Sequence, residues 1–127
     1  MELEHGDFRL EWQGRVLHNY PVGGFNEYGI RRLQQAILDE APEGIPWALV
    51  EHPKDRAGLT PEGLEEIRRM HLALVQHGCV CIGMDVAPTF GAILRDLVLS
   101  ELPVPTIVGD QPDDIDTFVA TELARHA

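Results

Sequence analysis

Short apolar runs set against stretches of helical period limit what this chain can become. "WALVE", "CVCIGM" and "TIVG" are each four to six residues long and bounded by loop signals. Runs of that length read as strands buried on both faces. The stretches between them carry apolar residues at three- and four-residue spacing, as helices do. Strands that alternate with helices imply a largely parallel sheet covered by helices. Each crossover between parallel strands should be right-handed.

The first strands differ. In "DFRLEWQGRVLHNY", Phe8, Leu10 and Trp12 alternate with polar residues, and so do Val16, His18 and Tyr20. Period two on both sides of a Gln13-Gly14 turn predicts an antiparallel hairpin. "PVGG" breaks the second strand. Asn26 then fits an N-cap for a helix to about residue 40, with Phe25 stapled onto Ile30 and Ile30, Leu33 and Ile37 buried. A second helix is expected from Thr60 to about His77, burying Leu64, Ile67, His71 and Leu74, with Gly78 as its left-handed cap. A third is expected over residues 90–102, with Leu99 opposite Phe90 and exposed. "DQPDD" opens a fourth, which buries Ile115, Phe118, Val119 and Leu123. The expected fold is one α/β domain of order β-β-α-β-α-β-α-β-α, with a mostly parallel mixed sheet of about five strands flanked by helices.

Charge narrows the partners. Ten basic against 21 acidic residues give a net charge of −11. Phosphate backbones need clustered Lys and Arg, so nucleic acid is excluded as the main partner. Anionic membrane surfaces are disfavoured for the same reason. No apolar run nears the roughly 18 residues of a membrane span. The acidic start "MELEHGDF" is unlike a signal peptide, so the expected location is cytoplasmic. Such a charge serves solubility by itself, and a basic protein surface is the partner it would suit.

Chemistry-bearing motifs are scarce. "GMDVAPTFG" lacks the spacing and the lysine of a phosphate loop, and "PVGGF" has neither lysine nor serine beside it. Ser100 is the only serine and falls within a helix. His77, Cys79 and Cys81 are split by a helix-to-strand transition and lack an obvious fourth zinc ligand. No cofactor, metal site or catalytic residue is assigned, and no enzymatic activity is expected. Cys79 and Cys81 should lie on one face of a strand as buried free thiols. Asp85 and Asp110 follow strands, where they could meet near one sheet edge; capping the next helices is the simpler role. The best-placed polar cluster is "EHPKDRAG", at the carboxyl end of a strand. There His52, Lys54, Asp55 and Arg56 form a candidate interaction loop. Phe90, Ile93, Leu94 and Leu97 make the third helix unusually apolar, as a pocket wall or a homodimer interface would be.

The hairpin, the element order and the Thr60 helix resemble the SpoIIAA-like family, the small STAS domains related in shape to Sec14 lipid-binding domains. "GRVLHNY" matches its second strand and "NEYGIRRLQQAILDEA" its first helix. "WALVEHP" matches the central strand that leads into the switch loop. "CVCIGM" and "PTIVG" follow as strands, and "DQPDDIDTFVATEL" is similar to the acidic loop and closing helix. The resemblance implies a regulatory, protein-binding module of the anti-sigma-factor-antagonist type, with a regulator or kinase as partner. The family's phosphorylatable serine, within a D-S-S-G-like stretch, corresponds here to "GLTPEG". Thr60 is the hydroxyl at that position, followed by proline and without the Asp-Ser pair. Thr60 also suffices as a helix N-cap, with Pro61 at the first helical position. The Sec14-like side of the resemblance implies an alternative, a carrier for a small apolar or lipid ligand between helices 60–77 and 90–102.

Overall fold

The computed structural model describes residues 6–53 and 60–126. Five strands form one sheet in the sequential order β1 (Asp7–Gln13), β2 (Val16–Val22), β3 (Trp47–Glu51), β4 (Cys79–Asp85) and β5 (Thr106–Gly109). β1 and β2 are antiparallel, and β2 to β5 run parallel. The hairpin turn is Gly14-Arg15, one residue later than expected, because Gln13 pairs with Val16. Gly14 has φ +59°, which favours glycine.

The helices are α1 (Glu27–Glu40), α2 (Pro61–Gln76), α3 (Pro88–Leu94) and α4 (Pro112–Ala124). Three successive crossovers advance across the sheet in one direction. Right-handed connections therefore place α1, α2 and α3 on the same face. α4 follows the last strand and packs on the other face, against β3, β4 and β5. The core divides accordingly. The larger cluster includes Leu17, Ile30, Leu33, Trp47, Leu49, Met70, Leu74 and Ile82, beneath the three helices. The smaller one holds Ala48, Val50, Cys81, Ile115, Val119 and Leu123. Of the four apolar positions expected from α4, Phe118 is half-buried and the other three are buried.

Local chemistry sets the helix ends. Asn26 Oδ1 accepts from Gly29 N at 3.0 Å, and Thr60 Oγ1 accepts from Gly63 N at 2.9 Å. Gly78 adopts φ +100° just past α2, where its missing Cβ also spares a 3.3 Å approach to Trp47 Nε1.

Two further expectations are corrected. Cys79 and Cys81 face opposite sides of the sheet. Trp47 pairs with Cys79 and Ala48 with Cys81, so Val80 is an extra residue that breaks the alternation. The third helix departs from α geometry: after α3 the chain makes a π-helical turn, Arg95–Leu99. Its wider i→i+5 spacing slows the rotation per residue, and Leu99 ends up 3% exposed rather than in solvent. Ile93 and Leu97 are instead the exposed apolar positions, at 50% and 45%.

Candidate functional site

The parallel strands bring their carboxyl ends to one edge, where open α/β sheets bind ligands. At the end of β3, Glu51 and His52 are neighbours in sequence. Period two sends them to opposite faces.

His52 joins the face that carries α4. Its backbone N–H donates to Asn19 O at 2.8 Å, continuing the β2–β3 ladder. Its ring sits between two partners: Nδ1 lies 3.1 Å from Asp85 Oδ2 and Nε2 lies 2.8 Å from His18 Nδ1. The proton arrangement that satisfies both contacts has His52 Nδ1–H donating to Asp85 and His18 Nδ1–H donating to His52. Tyr20 stacks on His52 with centroids 4.4 Å apart, and the Arg9 guanidinium lies 4.1 Å from the Tyr20 centroid. Burial, then the neighbouring His52, lowers the pKa of His18 below its ordinary 6.5, while Asp116 and Glu11 pull it back up. Tyr20, His52, Asp85, Val86, Ala87, Asp110 and Pro112 line a cleft of about 560 Å³.

Asp85 is thus bound to histidine and does not cap α3, which has no side-chain cap; nor has α4 after Asp110. Both aspartates line the cleft instead. His18 and Tyr20 went unassigned in the sequence because their partner is more than thirty residues away; only the strand pairing unites them. Lys54, Asp55 and Arg56 lie outside the described residues.

Glu51 turns to the other face, where its Oε1 meets Nε2 of His71 on α2 at 2.6 Å. His71 is completely buried, and its Nδ1 has no partner. Beside this pair, between the sheet and α1, α2 and the end of α3, lies a cavity of about 50 Å³. Leu94 lines it, while Phe90 packs half-buried against the larger core. Among the described residues no three His, Cys, Asp or Glu side chains converge as metal ligands. No described helix is long and apolar enough to cross a membrane.

Thr60 is exposed at the start of α2. Its backbone N–H donates to Phe25 O at 3.3 Å, tying the start of α2 to the chain entering α1. Glu62 and Glu65 beside it are exposed, whereas Glu66 is buried and bonded to Arg31 and Arg69 at 3.1 and 3.0 Å.

No protein-family model matches the chain, and no curated protein matches it. Among solved structures it is similar to an uncharacterized protein of the DUF3478 family with a SpoIIAA-like fold from Shewanella loihica PV-4. The two are 10% identical over 94% of this chain and 97% of that one, with a TM-score of 0.58. At that identity the likeness concerns architecture alone, and it agrees with the strand order and the layers: the chain has the SpoIIAA-like fold.

Proposed function

We propose that the chain is a non-catalytic regulatory module that docks a basic partner protein at the carboxyl edge of its sheet, with Thr60 as the position at which a kinase would act. One observation carries the reading. Both ring nitrogens of His52, the histidine lining the cleft, are engaged by His18 and Asp85. A general base needs its accepting nitrogen within hydrogen-bond reach of the substrate proton, and in His52 that nitrogen faces His18 instead. His52 therefore braces a surface, and that surface presents Asp85 and Asp110. With the first-turn Asp113 and Asp114 of α4 and a net charge of −11, it suits Lys and Arg on a partner.

A phosphate on Thr60 would add about −1.5 to −2 charges. The α2 N-terminus favours such a charge locally, while Glu62 and Glu65 repel it. A carrier of acyl chains fits the structure less well, because the cavity of about 50 Å³ falls far below the ~300 Å³ at which pockets for larger, drug-sized ligands begin.

The test is proximity labelling in the source cells with the wild type and with the Asp85→Asn, Asp110→Asn double variant. Partners that vanish with the double variant and dissociate at high salt support the reading. An unchanged partner set from both proteins would refute it.

A further inference from the structure

We propose that the cavity beneath α1, α2 and α3 binds a small neutral molecule, or the end of one, that carries a carboxamide or hydroxyl group. The cavity encloses about 50 Å³. One buried water needs roughly 10–15 Å³, so there is space for about three to five non-hydrogen atoms. Phe25, Ile30, Leu33, Met70, Met84 and Leu94 supply an apolar wall. Two polar side chains interrupt it, Asn19 and Glu51.

Asn19 is the reason to expect an occupant. It is 1% exposed, lines the cavity, and its Oδ1 has no hydrogen-bond partner. A buried polar atom in that state is uncommon in a folded protein. Glu51 is already fixed by His71. It stands beside Asn19 as a pre-oriented acceptor.

The polar pair defines the ligand. A side-chain amide can present either end, so a group that satisfies Asn19 both ways must donate and accept. Carboxamides and hydroxyls do both. A carboxylate would face Glu51 with like charge in apolar surroundings. A purely apolar fragment would leave Asn19 unpaired. The π-helical turn adds Val98 to the wall, and such turns recur at functional sites. Pro21 and Ile67 keep partial exposure among the lining residues and mark the way to solvent. The site faces away from the acidic cleft and does not depend on partner docking there.

Met70 and Met84 line the cavity, and their methyl groups serve as NMR reporters. Propionamide should shift both saturably, with affinity on the order of millimolar for so small a ligand. Propionate should leave them in place. Asn19→Leu should weaken propionamide at least tenfold while xenon, an apolar probe, still enters. Asn19→Ser, which keeps a hydroxyl, should fall between and serves as the check if the leucine variant unfolds. Non-saturating shifts would mean that water alone occupies the cavity, and would overturn the proposal. Equal propionamide affinity in the wild type and the Asn19 variants would overturn it as well.

Discussion

Glu51 and His52 are adjacent in the chain and each makes a histidine–carboxylate contact, yet the two contacts have different environments. Glu51–His71 lies beneath three helices, with side-chain exposures of 9% and 0%. His52–Asp85 lies at an edge that α4 covers incompletely, at 15% and 31%. The difference follows from topology. Crossovers advancing in one direction stack their helices on one face and leave the other to whatever follows the last strand. The first contact is built to hold the fold, and the second is within reach of solvent and partners.

The sealed pair gives the largest expected effect. His71→Leu leaves Glu51 without its partner in an apolar layer and should cost about 3–5 kcal/mol of stability. Urea titration measures it. Adding Glu51→Leu should recover most of the loss, because the stranded carboxylate is then gone. His52→Leu should cost much less, since solvent reaches Asp85. Equal losses for His71→Leu and His52→Leu would erase the contrast between the faces.

The displaced cysteines compare the same faces independently. Burial pushes both thiols up to about 12. Cys79 belongs to the core under three helices and Cys81 to the core under α4. Maleimide must wait for local opening to reach either. With Cys79→Ala leaving Cys81, native-state labelling should run about tenfold faster than with Cys81→Ala leaving Cys79, a gap of about 1.4 kcal/mol in opening free energy. Reversed rates would show that the α4 face is the tighter one.

The element order, the caps at Asn26 and Thr60 and the buried face of α1 were legible because each is local: a cap residue and an apolar period lie within a few positions of one another. Leu99 was not legible, because a single π turn changes the rotation without a composition signal. The cysteine faces were not legible either, since the extra residue at Val80 appears only when β4 is paired with β3. At the candidate site, the His52 loop was singled out from its place after a strand. The His18–His52–Asp85 chain was not, because parallel pairing assembles it from three different strands. Asp85 and Asp110 were legible as carboxylates that follow strands and can meet near one sheet edge, but not as residues that leave the next helices uncapped.

Thr60 tests whether the edge of the three-helix face is structure alone. Thr60→Ala removes the 2.9 Å bond to Gly63 N and should lower stability by about 1 kcal/mol. Thr60→Asn keeps a capping acceptor and should stay within a few tenths of wild type. Neither result concerns signalling, so the second readout is partner recovery from cells. Thr60→Asn that keeps both stability and every phosphorylation-dependent change in partner recovery would leave Thr60 as a cap and nothing more.

The smallest effect belongs to the open pair and is carried by His18. Its pKa is held below the ordinary 6.5, chiefly by burial and then by His52. The unfolded chain therefore takes up a proton there before the folded one does. The stability that neutral His18 contributes is complete above about 6.5 and is lost as pH falls from there through the lowered value. Urea midpoints should drop between about pH 8 and pH 5.5. His18→Gln should shrink that drop by its own share, leaving the remainder to other groups. A slope unchanged by His18→Gln would mean that Asp116 and Glu11 offset the burial.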